Sequence, residues 1–186
     1  MNPIKNKNGL EATIEEARKY AHAYLEKYNC SKQQLRTYLF KKFLKKKKKI
    51  FNKKELFNLI DVIISDLEDL KIISDEHYSD IKSKAFLRRG YSLNKIRYSL
   101  IKKGIDQKYI QSSISKIKKE DVDPDFFSAI KICRKRRIGP VREDANRSLF
   151  YKKDISILAR SGFSYETSKK VLEISKEDFK KFCKML

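Results

Sequence analysis

The chain has 186 residues, 45 of them Lys or Arg against 24 Asp or Glu, for a formal charge of +21. A chain of this length can bury a core as one domain or two small ones, and a field of this sign favours polyanions: nucleic acid, an acidic protein surface or a nucleoprotein. Five Gly, three Pro and no Trp leave little turn chemistry for a β-rich fold, and apolar residues recur at spacings of three or four, so the expected fold class is all-α.

Residues 1–12 are polar, lack the apolar core of a secretory signal, and are expected to form a mobile N-terminus. From Thr13 the positions Ile14, Ala17, Tyr20, Ala21, Tyr24, Leu25 and Tyr28 predict a helix with one wide apolar face. Ser31 with Gln34 is a capping box that opens a second helix, with Leu35, Tyr38, Leu39 and Phe43 inward. Lys45 to Lys49 repel one another and predict a loop or frayed end. Asn52 with Glu55 opens a third helix, whose stripe is Leu56, Leu59, Ile60, Ile63, Ile64, Leu67 and Leu70. Asp61 interrupts its most apolar stretch, so no membrane span is expected.

Ser74 or Asp75 can cap a fourth helix with Tyr78, Ile81, Ala85 and Phe86 inward, ending at Arg88-Arg89-Gly90. Ser92 caps a short helix carrying Leu93, Ile96 and Leu100, and Gly104 ends it. Asp106 then caps another, with Tyr109, Ile110, Ser113, Ile114 and Ile117 inward. Asp123 before Pro124 is a strong helix start, Gly139-Pro140 a stop, and a longer helix follows from about Asp144 to Arg160. Ser164 caps the next helix, and Ser175 with Asp178 predicts a last short one.

Parts of this pattern recur. Ser31 to Lys42 matches Ser92 to Lys103 without a gap, and Leu158 to Ser164 matches Leu100 to Asp106. The expectation is three tandem three-helix repeats, at 13–73, 74–120 and 121–186, the last with the short C-terminal helix. Asp154 stands where Ile96 stands in the second repeat, which predicts that the middle helix of the third rotates or shifts.

Catalysis has no evident home. The sequence contains no glycine-rich phosphate loop and no Ser-His-Asp or Cys-His grouping, and Asp66, Glu68 and Asp69 read as a solvated helix face, so a non-enzyme without cofactor is expected. Cys30, Cys133 and Cys183 read as free thiols of a reducing, cytoplasmic compartment, and with His22 and His77 they have no metal-ligand spacing.

Lys, Ile and Asn are abundant together, as AT-rich coding produces, so many lysines are simply solvated surface. The informative cations gather at expected helix ends: Arg88, Arg89, Lys102, Lys103, Arg134, Lys135, Arg136, Arg137, Arg142, Lys152, Lys153 and Arg160, with Arg97 on the helix between. Cations at helix C-termini partly serve capping, but Arg88-Arg89 and Arg134 to Arg137 exceed that need. If the repeats stack with one hand, these ends form a basic strip along one edge. Tyr and Phe fall mostly on inward stripes and read as core, not as a base-stacking platform.

The run Ile73-Ser-Asp75-Glu-His-Tyr78, then Ala85-Phe-Leu-Arg88-Arg89-Gly90, then Ile96-Arg97-Tyr-Ser-Leu100-Ile-Lys102-Lys103-Gly104, resembles the central signature of RecX regulatory proteins. Leu158-Ala-Arg160-Ser-Gly162-Phe163-Ser164 resembles that family's closing turn. Ser74 and Ser161 stand where the family pattern has an aspartate and a second basic residue. The resemblance covers nearly the whole chain. It implies an elongated, curved array of three three-helix repeats, and a monomer that lodges in the groove of the RecA recombinase filament on single-stranded DNA. There it would modulate, mostly inhibit, RecA's ATPase, recombinase and co-protease activities, in DNA repair, recombination and the SOS response. Two other readings stand beside it: a plain or helix-turn-helix-like DNA-binding protein, and a small nuclease.

Overall fold

In a computed structural model the chain is described over residues 3–46, 53–120 and 122–186. Among these residues it forms ten α-helices, a 3-10 turn at Gly139–Val141 and no strand. The helices are α1 (Pro3–Leu25), α2 (Lys32–Lys46), α3 (Lys53–Asp69), α4 (Asp75–Arg88), α5 (Leu93–Ile101), α6 (Gln107–Glu120), α7 (Pro124–Arg136), α8 (Asp144–Arg160), α9 (Tyr165–Leu172) and α10 (Lys176–Lys184).

Local chemistry sets most helix ends. The hydroxyls of Ser92, Ser164 and Ser175 accept from the amides of Lys95, Thr167 and Asp178, and the Asp123 carboxylate accepts from Phe126 ahead of the first-turn Pro124. Ser31 and Gln34 cap reciprocally, each side chain accepting from the other's amide at 3.2 Å. The α1 backbone is helical from Pro3, a residue that fits a first turn, so the helix begins ten residues before the expected Thr13. α2 continues through Lys45 and Lys46, while Lys47 to Lys49 and the Asn52 cap lie outside the described residues.

The chain divides into two compact units, one holding residues up to Tyr78 with Lys103–Ile105, the other Ser79–Lys102 with residues from Asp106 onward. In the first, α1, α2 and α3 enclose Ala17, Ala21, Leu35, Leu39, Phe43 and the α3 stripe from Leu56 to Leu67. Tyr24 stacks on Tyr38 with ring centroids 4.1 Å apart. Three positions expected on inward faces are instead exposed. Leu70 and Tyr28 lie beyond the ends of α3 and α1, where the helical register no longer aims them at the core, and Ile81 is more than a third exposed.

In the second unit, α5 and α6 bury Leu93, Ile96, Leu100, Ile110, Ile114 and Ile117. α7 packs against α9 and α10, and α8 against α9, around Phe126, Ile130, Cys133, Leu158, Val171 and Phe179. Each fully buried Ile or Leu contributes about 1.5–3 kcal/mol relative to exposure.

One junction is built twice, once in each unit. In the first, the Ser31 hydroxyl donates to the Lys103 carbonyl at 2.6 Å, the Lys32 amide donates to Asp75 Oδ1 at 2.8 Å, and Gly104 turns with φ +75° against Gln33. In the second, the Ser92 hydroxyl donates to the Ser161 carbonyl at 3.0 Å, the Leu93 amide donates to Asp125 Oδ1 at 2.7 Å, and Gly162 turns with φ +88° against Ser92. Each serine is thus both a helix cap and a tether to a distant turn.

Candidate nucleic-acid interface

Arg88 and Arg89 are exposed at the C-terminal end of α4. Gly90 reverses the chain there with φ +82°, its amide donating to the Leu87 carbonyl and that of Tyr91 to Phe86. Lys102 is the exposed C-cap of α5, and Arg160 is exposed in the last turn of α8, its Nε donating to the Ser156 carbonyl. Arg134, Lys135 and Arg136 close α7. Arg137 follows in the left-handed conformation with φ 53°, and all four are exposed. Lys152 and Lys153 are exposed but lie within α8 rather than at an end, and Arg97 lies half-buried within α5. Lys103 belongs to the first unit, where its carbonyl takes the Ser31 hydroxyl; the other twelve cations are in the second.

Arg142 has a different situation. Its guanidinium donates to both oxygens of Asp154, Nε to Oδ2 at 2.7 Å and Nη2 to Oδ1 at 2.8 Å, and lies over the Phe150 ring. The Gly139 amide also donates to Asp154 Oδ2, at 2.9 Å. Asp154 is 1% exposed, so α8 has not rotated the aspartate outward as its sequence position suggests. Three hydrogen bonds satisfy the carboxylate at a core position, and the bond from Asp154 raises the Arg142 pKa further.

The remaining cations are not neutralised in this way. Among the described residues, no carboxylate forms an ion pair with Arg88, Arg89, Arg97, Lys102, Lys103, Arg134 to Arg137, Lys152, Lys153 or Arg160. By contrast, the acidic face of α3 is balanced by Arg18 on Asp66, Lys32 on Glu68 and Arg36 on Asp61. From Ile81 to Ile105 the chain carries eight basic residues and no acidic one.

Aromatic residues depart from the expected pattern at α5. Tyr98 is 59% exposed, and the Lys102 ammonium lies 4.6 Å from its ring centroid. Lys95 sits likewise over Tyr91, which stacks on Phe86. The alternation Tyr91, Lys95, Tyr98, Lys102 gives two aromatic–cation pairs, one at the start and one at the end of α5, a spacing visible in the sequence.

Among the described residues no group of three His, Cys, Asp or Glu is placed to hold a metal ion, and no helix is long and apolar enough to cross a membrane. His22, His77 and Cys30 do line one cavity of the first unit, of about 410 Å³.

These features define an all-helical protein with a strongly cationic surface. No family model matches the chain. It is 28% identical over 153 residues to a regulatory protein RecX of Myxococcus xanthus, covering 81% of this chain and 80% of that one. RecX proteins of Clostridium perfringens and Agrobacterium fabrum match at 26% and 27% identity over 55% and 59% of this chain, and about half of their own length (47% and 56%). Its fold is that of two crystal structures. RecX from Lactobacillus salivarius superposes with a TM-score of 0.62 at 18% identity, covering 86% of this chain and 94% of that one. Another regulatory protein RecX gives 0.67 at 16% identity, covering 94% and 79%. The chain is thus similar in sequence to RecX regulatory proteins and shares the fold of two of them.

Proposed function

We propose that this protein binds the RecA filament on single-stranded DNA and modulates, mainly by inhibition, its ATPase, recombinase and co-protease activities. The observation that carries this reading is the stretch from Ile81 to Ile105 that resembles the RecX signature, basic throughout and presenting Arg88 and Arg89 to solvent without a carboxylate partner. Free exposed cations attract the phosphates of a nucleoprotein, whereas cations held by carboxylates do so weakly. The protein would act as a cytoplasmic monomer without cofactor. The twice-built junction supports three helical repeats, at 13–73, 74–120 and 121–186, because the same tether recurs where the sequence recurs. The contact residues we infer are Arg88, Arg89, Arg97, Lys102, Arg134, Lys135, Arg136, Arg137, Lys152, Lys153 and Arg160, whereas Arg142 serves the fold.

The test is RecA's DNA-dependent ATP hydrolysis with this protein added at less than one per RecA. A fall in turnover or in filament lifetime is expected, and unchanged values overturn the proposal. The same unpartnered cations favour a second reading, a protein that binds bare DNA. Affinity for bare DNA falling steeply with salt, with no preference for the filament, would select it.

A further inference from the structure

α2 and α5 are gap-free equivalents in sequence, yet they treat the same outward positions differently. On α2, Arg36 is neutralised by Asp61 at 2.7 Å and Phe40 is covered by Phe57, the rings nearly parallel with centroids 4.4 Å apart. On α5, the equivalent Arg97 hydrogen-bonds, among the described residues, the Asn94 side-chain oxygen alone, at 3.0 Å, and the equivalent Ile101 is 50% exposed. Between them, Tyr98 replaces the small Thr37. The second repeat of the pattern thus leaves α5 with an exposed ring, an exposed aliphatic side chain and two cations without a carboxylate, in a stretch free of acid.

We propose that Tyr98 is a stacking platform for an unpaired base of single-stranded DNA, with Arg97 and Lys102 meeting the flanking phosphates. The proposal rests on, and deepens, the nucleic-acid part of the function proposed above. Lys102 covers one face of the ring and polarises it, leaving the other to a base, and every base offers a π-face, so the contact is sequence-tolerant. Duplex bases are already stacked on both sides and cannot use it. A protein partner fits less well, since two exposed apolar side chains fall far short of the area that a stable protein interface buries.

The experiment measures binding of the full chain, by fluorescence anisotropy, to a labelled oligo-dT strand, to an abasic strand of equal length and charge, and to a duplex. Tyr98→Ala is expected to weaken oligo-dT binding roughly five- to hundredfold. Tyr98→Phe stays within about twofold of wild type because it keeps the π-face. The salt slope and duplex affinity are unchanged by either. The wild type alone should bind the abasic strand less tightly by the same factor, a result that does not depend on any variant folding. Equal affinity of the wild type for the thymine and abasic strands, no binding of oligo-dT at low salt, or equal losses by Tyr98→Ala on duplex and single strand would each overturn the proposal. RecA ATP hydrolysis, followed in parallel, keeps the two readings apart. If it falls with wild type while abasic and thymine strands bind alike, the platform is wrong and the regulator stands; the reverse pair of results has the opposite meaning.

Discussion

Arg142 grips Asp154 through both carboxylate oxygens, at 2.7 and 2.8 Å, in a place where the sequence equivalent of Asp154 is the fully buried Ile96. Removing one partner strands the other. Asp154→Ala leaves the Gly139 amide and the guanidinium without their acceptor, and Arg142→Ala leaves a buried carboxylate with one donor. Each is expected to cost about 3–5 kcal/mol, read from urea unfolding. The double change Asp154→Leu with Arg142→Met should cost clearly less than either, because it removes both desolvated charges. A double variant as unstable as the singles would show that the pair itself is not what holds the site.

The turn glycines are expected to separate into two grades. Gly90, Gly104 and Gly162 all have positive φ, which costs an L-residue about 1–2 kcal/mol. A Cβ at Gly90 would sit 3.2 Å from that of Lys131, a contact the neighbour can relieve by a small shift. At Gly162 it would sit 2.5 Å from Ser92 Oγ, and at Gly104 it would overlap the Cβ of Gln33. Thermal unfolding should therefore place Gly104→Ala and Gly162→Ala well below Gly90→Ala. Equal losses at all three would mean the junction turns are not closely packed.

Two aspartates should give stability profiles of opposite slope. Burial raises the pKa of Asp125, outweighing the bond from the Leu93 amide, so the folded state holds its proton more tightly than the unfolded chain. That contribution is complete below the ordinary carboxylate range and is lost as pH rises through the folded value. Asp125→Asn, which keeps an oxygen for the Leu93 amide, should thus gain on the wild type as pH rises from about 3 to 6.

For Asp80 burial also acts upward, but the hydrogen bonds from Lys116 and Ser113 outweigh it and lower the pKa. Its contribution is present above the ordinary carboxylate range and is lost as pH falls through the folded value. Asp80→Asn should cost under about 1 kcal/mol at neutral pH, since Lys116 is nearly half exposed, and nothing in strong acid. Denaturant titrations from pH 2.5 to 7 check both, and parallel slopes for the two variants would refute the assignment.

Thiol chemistry should follow burial. Desolvation pushes Cys30 up to about 11 and Cys133 to about 12, so both stay protonated and enclosed at pH 8. Cys183 is only half-buried. Alkylation of the native protein, followed by mass spectrometry, is expected to label Cys183 first and the others only in denaturant. Labelling of Cys133 at the rate of Cys183 would contradict the packing of α7.

Arg88→Glu with Arg89→Glu should leave the helical circular dichroism and the melting temperature nearly unchanged, because both side chains are exposed, while weakening binding to RecA filaments. Melted helices would show that these arginines hold the fold together.

What the sequence alone determined is whatever depends on near neighbours. Serine caps reach amides three residues on, turn glycines follow their own helices, and apolar stripes repeat every turn, so all ten helices, their order and the exposed cations at Arg88, Arg89 and Arg134 to Arg137 were legible. Tertiary structure decided whatever depends on a partner far along the chain. Asp125 reaches the Leu93 amide across 32 residues, Asp75 reaches Lys32 across 43, and Asp154 stays inward because Arg142 and Gly139 come to it. Tyr98 looks like one more aromatic in a helix until the fold shows it exposed, and its neighbour Ile101 lacks the cover that Phe57 gives the equivalent Phe40 on α2. A helix's pitch is written in its own residues; whether a polar group is satisfied or a ring exposed depends on which distant surface arrives beside it.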